Sequence, residues 1–419
     1  MQVLMVGFGG AGCRLVDLFY ENDLRSGTIR CIDAIAVDKD AENLEQLKFI
    51  PAAQKLYFHP LGLTHHEETA STVVPEEVIS RLQSIDTGEV DAIVLCGGLG
   101  GALLDDVPRL VPHIRSAMIE PVFGLFTLPC NAEGASVSAR AGAQARSLKP
   151  ILDGTILFDN EFWYPRVREI VDRRQETAGQ QRRIAFQKPA VPVSRRLMTY
   201  RELNTLIVRR VGLLFRAGEF IEKSTVEPAE VVLDAGEVLN TIRGMGFITV
   251  GYANEPVVQG GVDLSPRTLL RPASVSVDEA YKKASRMVDL AKRAIHEENS
   301  ISCDPSSAEN ALILIAGPSQ EMSMKGYMTI RKWIDRTVRG EVRSGDYPVK
   351  NSRFLAVVVV LAGVEKIPRI EELYSIAEHP ESFIMHAPHE TGQDTIVIPQ
   401  EKGERDRYAT GASRTRHEE

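Results

Sequence analysis

Thr199-Tyr200-Arg201-Glu202-Leu203-Asn204 is the stretch around which this chain is organised, because a glycine-rich half precedes it and an acidic loop follows it. Apolar residues then recur at helical spacing and predict one apolar face, formed by Leu203, Leu206, Ile207, Val211 and Leu214. Thr199 is the predicted N-cap, since it stands three residues before Glu202, the spacing of a capping box. Tyr200 and Asn204 share one helix face, where a ring beside an amide can stack on a base and read its edge. The alternative is an ordinary surface tyrosine and an ordinary polar position.

The composition of the chain limits the classes of protein to which it can belong. The 419 residues suffice for two to three domains of about 150 residues each. A net charge of −8 argues against bulk nucleic-acid binding, so no nucleic-acid partner is expected. The five cysteines show no paired spacing, which predicts neither disulfides nor a zinc site and fits a reducing compartment. With no run of about 18 apolar residues and no signal peptide, we expect a cytoplasmic protein.

A glycine-rich turn follows the first apolar run, residues 2–6. Gly7-Phe8-Gly9-Gly10-Ala11-Gly12 has G-x-G-x-x-G spacing and leads into a helical pattern. Strand, glycine turn and helix together predict a phosphate-binding start, because the helix N-terminus offers free N–H groups to an anion. The alternative is a tight strand-to-helix turn without a ligand.

Further strands end in residues that suit ligand binding. A strand at 90–95 runs into a second glycine loop, Cys96-Gly97-Gly98-Leu99-Gly100-Gly101, and two other strands end in Asp38-Lys39-Asp40 and Asp159-Asn160-Glu161. Strands that alternate with helices predict a mostly parallel sheet with helices on both faces. Ligands bind at the carboxyl ends of such strands. Two glycine loops at one edge suit a mononucleotide held from both sides.

A basic segment at 164–198 contrasts with the acidic chain: between residues 166 and 196 there are nine Lys or Arg against three acids. We expect a solvated loop, in which Pro189 and Pro192 break any helix. The alternative is an electrostatic contact with an acidic partner, an anionic membrane surface or a neighbouring subunit.

The second half predicts a smaller α/β domain with a mixed sheet. Its expected strands lie at 247–252, 311–316 and 354–361, and its helices at 277–298 and 323–338. From about residue 403 the chain is charged and poor in apolar residues, which predicts disorder.

Taken in order, these landmarks resemble the tubulin/FtsZ superfamily over roughly residues 1–365. The stretches 154–161 and 199–204 are similar to tubulin. Leu233-Asp234-Ala235-Gly236-Glu237, with 240–242 and 251–253, resembles the archaeal CetZ branch. The resemblance implies an α/β fold with a Rossmann-like parallel-sheet GTPase domain, a long central helix and a smaller C-terminal α/β domain. The implied boundaries are 1–199, 200–222 and 223–385, followed by a tail at 386–419.

The resemblance also implies a cytoskeletal protein of cell shape or division that binds GTP or GDP, with Mg²⁺ as a further candidate, and stacks head to tail with itself or other members of the superfamily. Phosphates would be held by Gly9, Gly10, Ala11, Gly12, Gly98, Leu99, Gly100 and Gly101. Asp40 would lie near the phosphates or Mg²⁺, and Glu133 near the ribose. Guanine would be read by Asn160, Tyr200 and Asn204. The hydrolytic acids offered to the next subunit would be Asp234 and Glu237, because a carboxylate can polarise an attacking water.

One departure from the superfamily pattern concerns the phosphate loop. Its signature GGGTG[ST]G aligns with Gly100-Gly101-Ala102-Leu103-Leu104-Asp105-Asp106, which lacks the threonine and the later glycines. Two carboxylates within a few ångströms of a triphosphate would each repel it by about 1–4 kcal/mol. Val232 also replaces the usual asparagine of the acidic loop. We therefore expect GTP hydrolysis to be weak or absent.

Two alternatives stay open at this point. One is a non-hydrolysing structural member that co-assembles with partners. The other is a Rossmann-type NAD(P)-dependent oxidoreductase, which would rest on Gly7 to Gly12 and on Asp38 as a ribose acid; it explains neither the second glycine loop nor the Tyr200 helix.

Overall fold

A computed structural model of the chain describes residues 1–26, 30–58, 73–85, 90–184, 194–217, 229–257, 277–350 and 352–379. Its strands are β1 (Val3–Phe8), β2 (Ile32–Asp38), β3 (Lys55–Tyr57), β4 (Ala92–Gly98), β5 (Val122–Leu128), β6 (Gly154–Asp159), β7 (Phe247–Pro256), β8 (Asn310–Gly317), β9 (Val342–Pro348) and β10 (Phe354–Ala362). Its α-helices are α1 (Gly9–Arg25), α2 (Ala41–Glu45), α3 (Pro75–Ser84), α4 (Val107–Ala117), α5 (Ala135–Leu148), α6 (Asn160–Ile184), α7 (Arg195–Phe215), α8 (Ala235–Ile242), α9 (Val277–His296), α10 (Met324–Asp335) and α11 (Pro368–Glu378).

All the strands pair in one sheet, in the order β3-β2-β1-β4-β5-β6-β7-β10-β8-β9. From β3 to β7 every pairing is parallel. Parallel strands are covered by helices on both faces, which explains why β1, β4 and β5 are continuous apolar runs. The carboxyl ends of β1, β4, β5 and β6 therefore meet at one edge of the sheet, here called the carboxyl edge.

The sheet continues into the second half through a short junction. β6 and β7 share two residue pairs, Thr155 with Phe247 and Ile156 with Ile248. β10 then pairs antiparallel with both β7 and β8, and β9 pairs parallel with β8. β7, β8 and β9 consequently run in the direction of β6, so their amino ends share the opposite edge, here called the amino edge. The predicted α/β class with a mostly parallel sheet is confirmed.

The central helix α7 begins earlier than the sequence suggested. Ser194 is its N-cap, and Thr199 lies inside it with Oγ1 donating to the Arg195 carbonyl oxygen at 2.9 Å. The prediction of Thr199 as N-cap is wrong because no glycine or proline between Arg195 and Met198 stops the helix from extending upstream. The predicted apolar face is confirmed for Leu203, Ile207, Val211 and Leu214, which are buried, while Leu206 is half-buried against the core.

Much of the basic segment is helical, which corrects the expectation of a loop. α6 runs from the end of β6 to Ile184. Its charges support the helix through i,i+4 ion pairs between Arg173 and Glu169 and between Arg168 and Asp172. Residues 185–193, with both helix-breaking prolines, lie outside the described residues, as does the predicted tail. No helix of the described residues is long and apolar enough to cross a membrane.

Close contact between α1 and β4 depends on Gly12. A Cβ at this position would collide with the backbone carbonyl oxygen of Cys96, which cannot move without disturbing the sheet. We therefore expect Gly12→Ala to lower the free energy of unfolding by about 1–3 kcal/mol or more, the scale of overpacking a core. Urea unfolding followed by circular dichroism measures this change.

Gly212 of α7 is the matched control, because the nearest atom to a Cβ there is Asn22 Nδ2 at 3.7 Å, an ordinary contact. Gly212→Ala should be neutral or stabilising by up to about 1 kcal/mol, since alanine favours a helix over glycine. Equal destabilisation by both substitutions would contradict the packing argument.

Candidate functional site

The turn between β1 and α1 is shaped to receive an anion. Gly9 has φ +67°, a left-handed conformation that favours glycine. The N-cap residue Phe8 makes no side-chain cap, so within the described residues no side chain caps the start of α1. Free N–H groups and the helix dipole at this end favour negative charge. A Cβ on Gly10 would approach the Arg14 guanidinium at 2.9 Å, so that side chain stands beside the turn.

The second glycine loop lies against the first but is tied into the protein. A Cβ on Gly98 would lie 3.2 Å from Cβ of Ala11, so the two predicted phosphate segments meet. The N–H of Leu99 donates to the Thr127 carbonyl oxygen at 2.9 Å, and that of Gly100 to Gln144 Oε1 at 2.7 Å. These N–H groups already have acceptors within the chain. The loop is therefore less open to phosphate than its glycine content suggests.

The loop continues as a 3₁₀ turn, Ala102–Asp105, that buries Leu103 and Leu104. Asp105 Oδ1 accepts a hydrogen bond from Gln144 Nε2 at 2.7 Å, and Arg140 Nε lies 4.0 Å from its Oδ2. Burial raises the pKa of Asp106, although the nearby Lys39 and Arg109 counteract this. Asp105 and Asp106 are the two carboxylates expected to repel a triphosphate. Each of them therefore has a basic or amide group beside it.

Tyr200 and Glu133, predicted separately for base and ribose, are joined directly. The Tyr200 hydroxyl donates to Glu133 Oε1 at 2.8 Å, and the Cys130 N–H donates to the same oxygen at 2.9 Å. Burial, together with the neighbouring Cys130 and Glu133, raises the pKa of Tyr200, so the hydroxyl keeps its proton. The Tyr164 ring is 5.7 Å from the Tyr200 ring, between centroids. The beginning of α7 is therefore fixed to the loop after β5.

A cavity of about 210 Å³ lies between α1, residues 46–49 and the beginning of α7. Tyr200 and Asn204 line it, as their shared face predicts. Arg14, Lys48 and Phe49 also line it and were missed from sequence. Arg14 could have been found, because it follows Gly10 by four residues on the same face of α1. No local pattern points to residues 48–49, which are held by their N–H groups donating to the buried Asp17.

Asn160 follows β6 directly and is buried, with 7% exposure. The preceding Asp159 accepts the Glu161 N–H at 3.0 Å, and Arg369 Nε is 3.8 Å from the same Oδ1. Burial raises the pKa of Asp159 to about 6 despite the opposing effect of Arg369. The Asn131 N–H donates to Glu161 Oε2 at 2.8 Å, which links the loops after β5 and β6.

Asp40 and Asp38 both stabilise local turns at the end of β2. Asp40 is the N-cap of α2, accepting the Glu42 N–H at 2.9 Å. Asp38 Oδ1 accepts the Lys39 N–H at 2.7 Å, and the side chain is buried. A ribose-binding acid of a dinucleotide enzyme has to face the ligand, so this burial disfavours the oxidoreductase alternative. In the part of the chain described, no group of three or more His, Cys, Asp and Glu is arranged to hold a metal ion.

The predicted hydrolytic acids lie at the amino edge. Asp234 is the exposed N-cap of α8, accepting the Glu237 N–H at 2.7 Å, and Glu237 Oε1 is 3.6 Å from Arg343 Nη1. The end of α8 meets the start of β6, where the Gly244 N–H donates to the Asp153 carbonyl oxygen. The six residues of β6 separate the two edges by about 20 Å. Within one subunit these acids are therefore far from the glycine loops.

Arginines of the basic segment that the structure describes have partners in the subunit. Arg174 pairs with Glu202 at 2.8 Å, and Arg195 lies 3.7 Å from Asp172. These pairs fasten α6 to α7, so an external acidic partner would have to compete with them. That partner stays a prediction.

Comparisons with known proteins identify the family of this chain. A family profile described as "Tubulin-like CetZ, C-terminal domain" matches residues 197–379. The chain is 33% identical over 393 residues to the tubulin-like protein CetZ1 of Haloferax volcanii, covering 90% of this chain and 92% of that protein. Two structures from the same organism also match. One is CetZ1 as a GDP-bound monomer, with TM-score 0.67, 30% identity and coverage of 91% and 99%. The other is a GTPγS-bound CetZ2 protofilament, with TM-score 0.68, 24% identity and coverage of 92% and 100%.

The raised pKa of Asp159 predicts a pH-dependent stability. The native state holds this proton more tightly than the unfolded chain, so the stabilisation is complete below about pH 4 and is lost as the pH rises through 6. Asp159→Asn removes this dependence. Relative to wild type, the unfolding free energy of the variant should rise by about 2 kcal/mol between pH 4.5 and 7.5. Urea unfolding across this range measures the difference.

Asp335→Asn, which alters an exposed carboxylate of α10, controls for the loss of one surface charge. A difference between wild type and Asp159→Asn that is flat with pH would show that Asp159 does not titrate as its burial implies.

Proposed function

This chain belongs to the CetZ family of tubulin-like proteins, and on that premise we propose that it is a cytoskeletal subunit that binds a guanine nucleotide and assembles head to tail. The observation that carries the proposal is the polarity of the subunit. Tyr200 and Asn204 line a cavity beside α1, whose glycine turn begins at the carboxyl edge, while Asp234 and Glu237 lie at the amino edge. Stacking the amino edge of one subunit on the carboxyl edge of the next would bring the two sets of residues together.

The solved GDP-bound CetZ1 and the CetZ2 protofilament support both parts of the proposal, nucleotide binding and head-to-tail assembly. We place its role in cell shape or division, in the cytoplasm.

The residues present fit the base and ribose of GTP or GDP. The base would enter the cavity lined by Tyr200 and Asn204, with Arg14 at its α1 wall, and Asn160 would read its edge. Glu133 would accept a hydrogen bond from the ribose after exchanging its present donor, the Tyr200 hydroxyl. The N-terminus of α1, from Gly9 to Gly12, would take the phosphates.

The residues present fit the terminal phosphate and Mg²⁺ less well than they fit the base and the ribose. The N–H groups of Leu99 and Gly100 have internal acceptors, and Leu103 is buried where the superfamily signature has a hydroxyl. Asp105 and Asp106 are accompanied by Gln144 and Lys39, so they are not free oxygen ligands of the kind Mg²⁺ prefers. We therefore propose nucleotide binding with weak or absent hydrolysis. The same observation favours the second candidate, a non-hydrolysing structural member that co-assembles with other tubulin/FtsZ proteins.

Base stacking on Tyr200 is testable by calorimetry with GDP. Tyr200→Ala removes the ring and should weaken GDP binding by about 1–3 kcal/mol, the scale of base–aromatic stacking. Tyr200→Phe keeps the ring and loses only the hydroxyl, with its hydrogen bonds to Glu133 and Cys130, so its GDP affinity should fall much less. Equal affinities for wild type and Tyr200→Ala would exclude Tyr200 as the stacking residue.

Turnover is testable through phosphate release as a function of protein concentration. We expect GTP hydrolysis on the order of 10⁻⁴ s⁻¹ or slower even where subunits associate, the range of GTPases without a fully assembled catalytic site. Glu237→Ala should then change little. Glu341→Ala is the matched control, because Glu341 contacts the same Arg343 at the same face.

A rate that rises with concentration, is abolished by Glu237→Ala and is kept by Glu341→Ala would reveal a working intersubunit GTPase. It would overturn the inference drawn from the altered phosphate loop.

A further inference from the structure

Arg369, at the start of the C-terminal helix α11, reaches between the ends of β5 and β6. Its side chain is 5% exposed. Its position in the sequence lies more than two hundred residues beyond either strand, and neither composition nor spacing singles it out. It nevertheless touches the base of both loops that carry proposed nucleotide contacts.

The guanidinium of Arg369 contacts three separate groups. Nη2 donates to the Pro129 carbonyl oxygen at 2.9 Å, at the end of β5. Nε lies 3.8 Å from Asp159 Oδ1, at the end of β6. Nη1 donates to Glu372 Oε2 at 2.6 Å, within α11. Because the guanidinium is planar with donors in fixed directions, it sets the spacing between the groups it contacts.

The two strand ends lead directly into the candidate site. Pro129 precedes the 3₁₀ turn Asn131–Glu133, whose Glu133 binds the Tyr200 hydroxyl. Asp159 precedes the buried Asn160. The two loops are therefore joined twice. The exposed hydrogen bond from the Asn131 N–H to Glu161 joins them at the surface, and the buried Arg369 joins them in the interior.

We propose that Arg369 is a positioning residue that holds the ribose loop and the base-reading end of β6 at their working distance, and so couples base selectivity to the docking of α11. This rests on the proposed nucleotide binding at the same site. Arg369 itself contacts no nucleotide in this account; it acts through Pro129 and Asp159.

The docking of α11 on α5 supports this coupling. Gly142 of α5 is so close to the Leu373 carbonyl oxygen of α11 that a Cβ would collide with it. Arg146 of α5 also pairs with Glu378 at 2.7 Å and lies over the Tyr374 ring at 4.7 Å, but both charged side chains are half exposed, so this pair adds little and the close helix contact at Gly142 carries the docking. α11 is thereby fixed to a helix that also carries Gln144, the partner of the second glycine loop. A shift of α11 would move Arg369 and disturb both loops together.

The test uses Arg369→Met in the full chain, with Arg146→Met as the matched control. Both variants remove an arginine that contacts α11 or belongs to it, but only Arg369 also touches the two loops, whereas Arg146 pairs with Glu378. Since Arg369→Met leaves Asp159 buried without its cation, the double variant Asp159→Asn/Arg369→Met is included to remove both charges. Thermal unfolding verifies that each variant is folded.

Two readouts separate the positioning role from the proposed function. Amide hydrogen exchange of the nucleotide-free protein reports on residues 130–134 and 159–162 without any ligand. Calorimetry with GDP and with IDP, which lacks the 2-amino group of guanine, reports on base selectivity. We expect Arg369→Met and the double variant to exchange about tenfold faster at both loops. They should also bind GDP about tenfold more weakly, with a reduced preference for GDP over IDP. Arg146→Met should match wild type in both readouts.

Unchanged loop exchange in a folded Arg369→Met variant would overturn the positioning role, whatever the nucleotide result. Faster exchange with an unchanged GDP-to-IDP ratio would overturn the coupling to base selectivity. If wild type binds neither nucleotide, the proposed function fails and the selectivity role fails with it, while the exchange data still decide whether Arg369 holds the loops.

Discussion

The relation between the two halves of the chain depends on the buried guanidinium of Arg210, in the last third of α7. It donates to the carbonyl oxygens of Leu206 and Glu298, and it lies 4.4 Å from the centroid of the Trp163 ring. Burial lowers its pKa to about 10, so it remains charged at neutral pH. A buried charge is tolerated only where hydrogen bonds and aromatic faces compensate for lost water. α7 is therefore held to α6 and to the segment after α9 in one arrangement.

This anchoring explains how one helix can contribute to the site near its beginning and contact the second half of the chain further along. Tyr200 and Asn204 reach the cavity beside α1. Arg210 lies ten residues after Tyr200 and six after Asn204 in the same helix. Because a helix is stiff over this distance, a displacement of the second half of the chain also moves Tyr200. Arg369 provides a separate link from α11 to the loops on the other side of the site.

Sequence reasoning succeeded where the signal was local and repeated. The parallel sheet, the apolar face of α7 and the two glycine segments follow from periodicity and spacing, and the family follows from motifs in order. It failed at the N-cap, because Thr199 and Glu202 match a capping box that the upstream helix overrides. It also failed for α6, because a charged helix without a continuous apolar face resembles a loop. Phe49 and Arg369 were beyond its reach, since contacts across dozens or hundreds of residues leave no local pattern. Gln144 was missed as well, because a single buried amide carries no spacing.

The short junction between β6 and β7 has a mechanical consequence. The strands run from the amino edge to the carboxyl edge, which is the direction of stacking in the proposed filament. Sliding one strand past another along this direction breaks six residue pairs between β5 and β6 and nine between β7 and β10, but only two between β6 and β7. The sheet thus has one weak shear plane, parallel to the load. In a subunit under load, the strands up to β6 would therefore slide past β7 and the strands beyond it before any other pair of strands separates. This sliding would run parallel to α7.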